Sequence, residues 1–127
     1  MTETAQAWEE VTATIPASAQ FLRAARLITT ATASAGAFDV DALEDIRVVV
    51  HELLSAALDI ADGPIEFIIR VRTGQFEYRG SVPCSKAGPQ LDPMRSVIVS
   101  SLADTHFYKF DGTTLRIGFA KSAENRS

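Results

Sequence analysis

The sequence predicts an α+β domain, a two-layer α/β sandwich ordered β-α-α-β-β-α-β-β. Three observations point there. Two stretches have helical periodicity and end at glycine, Phe21–Ser34 before Gly36 and Asp41–Asp59 before Gly63. Two later stretches alternate apolar and polar residues around short Gly turns, as hairpins do. Hairpins interspersed with helices imply a mixed or antiparallel sheet with the helices on one face.

Each element has a local reason. Val11, Ala13 and Ile15 alternate with Thr12 and Thr14, giving a half-buried strand that Pro16 ends. Ser18 can cap a helix to about Ser34, with Phe21, Ala24, Ala25 and Ile28 on one face and Leu22 beside them. Gly36 stands where a left-handed residue would stop it. Asp41 and Glu44 resemble a capping box for the second helix. Leu43, Ile46, Val50, Leu53, Leu54 and Ala57 form its apolar stripe. Asp45, Glu52 and Asp59 recur every seven residues on another face, and Gly63-Pro64 stops the helix.

Ile65, Phe67, Ile69 and Val71 then point one way, with Glu66, Arg70 and Arg72 opposite, and Ile68 interrupts the polar side. Thr73-Gly74 is a turn, and Gln75–Ser81 returns with Phe76 and Tyr78 inward. Val82–Gln90, with two prolines and a glycine, is expected to be a loop. Asp92-Pro93 opens a short third helix, its apolar side made of Met94, Val97, Ile98 and Leu102. Thr105–Phe110, Asp111-Gly112 and Thr113–Lys121 form the last hairpin, in which Leu115, Ile117 and Phe119 alternate. Residues 7–121 are expected to be one domain, with flexible tails at 1–6 and 122–127.

Composition narrows the function classes. The chain has 127 residues, 46% hydrophobic and 22% charged, enough to bury a core without disulfides or metal. Cys84 is its one cysteine, so no internal disulfide or cysteine zinc site is available, and a cytoplasmic location is expected. A net charge of −4 argues against nucleic acid as a partner. No 18-residue apolar run suggests a membrane span. The first 20 residues lack the basic start and apolar core of a secretory signal.

Three segments carry a resemblance. They are Ile15-Pro16-Ala17-Ser18-Ala19 entering the first helix, Asp39–Glu52 in the second, and Ser100–Asp104 leading through Phe107 to Asp111-Gly112-Thr113. In order and spacing they resemble the anti-sigma-factor serine kinases of the GHKL superfamily, the histidine-kinase-like ATPases. The likeness runs from about Val11 to Lys121. It implies a nucleotide held between helices and a lid loop, a protein partner (a sigma factor or an anti-anti-sigma protein), and a homodimer.

The family's motifs are only partly present. A Glu and, four residues later, an Asn should share one helix face as base and magnesium ligand. Glu52 matches the first, but Ala56 replaces the expected Mg-binding Asn and has no oxygen for a hard cation. Ser55, about 100° round the helix, does not substitute. The adenine-binding acidic residue has no counterpart in Gly80–Gly88. Where a phosphate loop should follow, Gly88-Pro89-Gln90-Leu91-Asp92-Pro93 offers two prolines without amide donors and a repelling carboxylate. Gly112 and Thr113 match the last conserved element and would contact nucleotide if any binds.

The resemblance therefore implies a degraded ATP site, with Glu52 vestigial, no catalytic or metal residue assigned, and no cofactor. The expected function is regulatory protein binding in partner-switching control of bacterial transcription. The alternative is an active ATP- and Mg-dependent serine kinase that phosphorylates an anti-sigma-factor antagonist, with Glu52 as base. A third possibility is a small-molecule sensor using the old pocket.

Other candidates read as structural. Glu52 itself can be a solvated helix residue in line with Asp45 and Asp59. His51 points away from Glu52, His106 has no metal-ligand neighbours, and Cys84 has no resolving partner. Arg70, Arg72, Arg79 and Arg95 suit either a solvated sheet face or a partner surface. Trp8 suits either a core edge or an interface anchor.

Overall fold

Three helices cover one face of a five-stranded sheet in the computed structural model, which describes residues 7–88 and 90–123. The elements are β1 (Glu9–Ile15), α1 (Ala19–Ala33), α2 (Val40–Ile60), β2 (Ile65–Arg72), β3 (Gln75–Pro83), α3 (Pro93–Leu102), β4 (Thr105–Phe110) and β5 (Thr114–Ser122). A 3-10 turn at Ser34–Gly36 follows α1. The strand order is β1-β2-β3-β5-β4, and every pairing is antiparallel, so the mixed alternative does not apply. The tail expected at 1–6 and residues 124–127 of the tail expected at 122–127 lie outside the described residues. Ser122 does not belong to a tail: it pairs with Gln75 at the end of β5.

The alternation in β2 has its expected consequence. Ile65, Phe67, Ile69 and Val71 are buried, as are Phe76, Tyr78 and Val82 of β3 and Leu115, Ile117 and Phe119 of β5. On them α2 lays Ile46, Val49, Val50, Leu53, Leu54 and Ala57, all fully buried. Among the described residues, no helix is long and apolar enough to cross a membrane.

Several local expectations are corrected. The buried stripe of α1 is Leu22, Ala25, Thr29 and Ala33, while Phe21 is exposed. Thr29 is tolerated inside because its hydroxyl donates to the Ala25 carbonyl at 2.8 Å. Ser18 sits at the N-cap, but its side chain makes no cap bond. Ala37, not Gly36, takes the left-handed conformation, at φ 60°. Gly36 is needed for closeness instead, since a Cβ there would lie 2.7 Å from the Phe38 ring and 2.9 Å from Val71. Asp39, not Asp41, caps α2, accepting from the Ala42 amide at 2.8 Å. In α3 only Val99 is fully buried, whereas Met94 and Val97 face outward.

Strand β3 continues past Ser81 to Pro83. The Cys84 amide donates to the Thr113 carbonyl at 3.0 Å. Antiparallel pairs alternate between bonded and non-bonded, so the Pro83–Thr114 pair next to it needs no amide from β5's partner. Proline is therefore accommodated in a strand it would otherwise end.

Tyr78 stacks between Phe67 and Phe119, at centroid distances of 5.6 and 5.8 Å. Its hydroxyl is fully buried, has no hydrogen-bond partner among the described residues, and is held un-ionised by burial. Leaving such a donor unmet costs about 1–3 kcal/mol. Tyr78→Phe keeps the ring and is expected to raise stability by about 1 kcal/mol. A lower urea midpoint for that variant would show that the hydroxyl has a partner in solution.

Candidate functional site

The connection after α2, the end of β3, the β4–β5 turn and the start of α3 meet at one end of the sandwich, whereas the end of α3 at Leu102 lies beside Asp45 near the start of α2. The connection after α2 ties to the end of β3: the Asp62 amide donates to the Pro83 carbonyl, and the Ser85 amide to the Asp62 carboxylate, both at 2.8 Å. The Cys84–Thr113 bond joins β3 to the β4–β5 turn. Asp92 caps α3, accepting from the amides of Met94 and Arg95 at 3.0 and 3.1 Å.

Arg95 is the centre of this end. Its guanidinium lies 2.9 Å from the Glu52 carboxylate, 3.3 Å from Asp92 and 3.6 Å from Asp59. The Arg95 and Glu52 side chains keep 24% and 17% exposure, so this is a partly desolvated pair. Asp59 and Asp92 are more open and add less. Arg95 thus belongs to α3 and not to the sheet face with Arg70, Arg72 and Arg79, and Glu52 is an ion-paired residue, not a solvated one.

The seven-residue row on α2 is a seam along its whole length. Asp45, one step earlier, accepts from the Lys121 ammonium at 3.0 Å, and Lys121 also donates to the Leu102 carbonyl at 2.7 Å. One lysine therefore joins β5, α2 and the last turn of α3, where a cation suits the helix dipole.

The turn residues are occupied as well. Asp111 accepts from the amides of Thr113 and Thr114 and from the Thr113 hydroxyl, at 2.9, 2.8 and 3.1 Å, and pairs with Arg116 at 3.1 Å. Those amide bonds first, then Arg116, hold its carboxyl well below the usual carboxylate range. Gly112 has φ +100° and serves the turn. Ala56 is half-buried against the core.

These groups do not suit a magnesium triphosphate. Ala56 supplies no ligand, Glu52 already has a cation, and the Thr113 amide already has an acceptor. The surrounding carboxylates of Asp59, Asp62, Asp92 and Asp111 would repel phosphate. Cys84 is buried beside them, and burial first, then Asp62, pushes its thiol up against a lowering backbone hydrogen bond at Leu115, which disfavours the thiolate.

The remaining candidates separate. His51 and Glu52 diverge as helix neighbours must: Glu52 faces α3, while His51 Nδ1 lies 3.5 Å from Arg26 on α1. With Arg47 they line an open cleft of about 450 Å³. His106 is half-buried on β4, in a groove against α3. Trp8 lies on the open sheet face, its ring 4.3 and 4.1 Å from the guanidinium carbons of Arg70 and Arg72. No family model matches the chain, and no curated protein matches it.

Sequence reasoning missed Arg95 as the partner of Glu52. The two are 43 residues apart, and no local pattern links them.

Proposed function

We propose that the chain is a regulatory protein-binding domain of the anti-sigma-factor type, built on a histidine-kinase-like ATPase fold. It acts by covering its partner's surface, without phosphotransfer. The observation that carries this reading is the Glu52–Arg95 ion pair at 2.9 Å. Phosphoryl transfer depends on a positioned base and on metal neutralisation of charge. Here the residue in the base position is tied to a neighbouring helix, and Ala56 stands where the metal ligand should be. The element order and the convergence of α2, α3 and the last turn at one end support the fold assignment.

The partner is a sigma factor or an anti-anti-sigma protein in the bacterial cytoplasm, met by a homodimer of this chain. A net charge of −4 favours encounter with a basic partner. Calorimetric titration with ATP and ADP, each with Mg²⁺ up to millimolar, tests the reading. The expected result is no saturable heat from the folded protein. Saturable binding, followed by phosphotransfer that Glu52→Ala abolishes, would replace this reading with the kinase.

A further inference from the structure

We infer that a cleft on the open face of the sheet binds a free α-amino acid with an aromatic side chain. The site lies on the side of the sheet away from the helices, and it does not depend on the protein-binding reading. The cleft holds about 210 Å³ and is lined in part by Glu66, Ile68, Arg79, Ser81, Phe107 and Arg116. Pockets for drug-sized ligands begin at roughly 300 Å³, so the occupant here is smaller. Two rows of residues cross the strands beside it. Thr12, Ile68, Arg79, Gly118 and Phe107 form one, and Thr14, Glu66, Ser81, Arg116 and Lys109 form the next. Along each strand they alternate with the core residues, so they face away from the helices.

The apolar part of the cleft comes from a gap in the first row. Gly118 has no side chain, and the Phe107 ring lies over it, where a Cβ would strike two ring carbons. The ring therefore lies across β5 and forms a wall of the cleft, half-buried itself. Ile68, which interrupts the polar side of β2, is 38% exposed and lines the same space. An aromatic ring and an aliphatic side chain suit the flat apolar body of a ligand, and the neighbouring Arg79 guanidinium can stack on it.

The charges select the head of that ligand. The Arg79 and Glu66 side chains are exposed and make no ion pair or hydrogen bond among the described residues. Arg116 gives one guanidinium nitrogen to Asp111 at 3.1 Å and keeps further donors. Glu66 and Arg116 stand two strands apart, about 10 Å between backbones, with Ser81 between them. Opposite charges thus border one small cleft without neutralising each other. A carboxylate alone would use the arginines and be repelled by Glu66, and an amine alone would meet the reverse. A zwitterion uses both: its carboxylate accepts from Arg79 and Arg116, and its ammonium donates to Glu66. An α-amino acid carries these two groups on one carbon, with the side chain left to lie against Phe107 and Ile68.

Backbone amide NMR shifts of the full chain, titrated with L-phenylalanine to about 20 mM, test the site. The expected result is saturation with a Kd of about 1 mM or below, the shifts centred on Ile68, Arg79, Ser81, Phe107 and Gly118. L-phenylalaninamide lacks the carboxylate, N-acetyl-L-phenylalanine lacks the ammonium, and glycine lacks the apolar body. Each is expected to bind at least about tenfold more weakly. Arg79→Gln should weaken L-phenylalanine about tenfold without weakening the amide, and Glu66→Gln should do so without weakening the N-acetyl compound. The three analogues carry the test on the wild type alone if a variant fails to fold. No saturating shift, shifts centred elsewhere, or an analogue that binds as well as L-phenylalanine overturns the inference. The protein-binding reading stands or falls separately, in the nucleotide titration.

Discussion

Gly118→Val is expected to cost about 3 kcal/mol or more, enough to unfold a marginal domain at moderate temperature. Gly118 lies on the open face of β5, between Arg79 of β3 and Phe107 of β4. The Phe107 ring lies over it. A Cβ at this position would stand 2.5 and 2.6 Å from two ring carbons and 2.6 Å from the Tyr78 carbonyl oxygen. The ring can swing aside, but the carbonyl belongs to the β3 backbone and cannot yield without bending the sheet. Gly118→Ala is expected to cost about 2 kcal/mol. In a Phe107→Ala background the cost of that alanine should fall, because one of the two clashes is gone. Urea unfolding of the four proteins in this cycle measures both effects. A loss under about 0.5 kcal/mol for Gly118→Ala would mean that the ring and strand relax freely.

Arg95→Ala is expected to destabilise by about 2 kcal/mol. The loss comes chiefly from leaving the Glu52 carboxylate, only 17% exposed, without its cation. Removing both partners should recover part of it, since Glu52→Ala takes away the stranded charge. Arg95→Lys is expected to fall between, because an ammonium cannot address Glu52 and Asp92 with one planar fork. If Arg95→Ala changes the urea midpoint by less than the equivalent of about 0.5 kcal/mol, the pair is a surface contact and does not hold α3 to α2.

The alternation Ile65-Phe67-Ile69-Val71 named the buried face of β2, and Ile46, Val50, Leu53, Leu54 and Ala57 of the expected stripe are buried in α2, while Leu43 is half-buried and the stripe left out the buried Ala42 and Val49. Both patterns are regular over several turns or pleats. Short or weakly patterned elements were less legible. α3 has ten residues, and its apolar side chains spread over more than one face, so Met94 and Val97 could be assigned inward on spacing alone. Proline in Pro83 reads as a stop, and only the phase of the β3–β5 ladder makes it harmless. Glycine in Gly36 reads as a left-handed stop, whereas the nearness of Phe38 and Val71 is what requires it.

The candidate site divides in the same way. The row Asp45, Glu52, Asp59 was visible as a row, but its meaning was not. A seven-residue repeat of carboxylates looks the same whether it faces water or a neighbouring helix. Lys121 and Arg95 decide the matter, and they lie 76 and 43 residues from the carboxylates they meet.

By itself the sequence determined the kinds of element, their order, and the buried faces of the long ones. Those follow from side-chain periodicity and turn stereochemistry, which act over a few residues. Only the tertiary structure decided which charges pair across α2 and α3, which strands form the edges of the sheet, and which glycine is crowded. Those depend on distances between segments far apart in the chain, set by how the helix layer settles on the sheet.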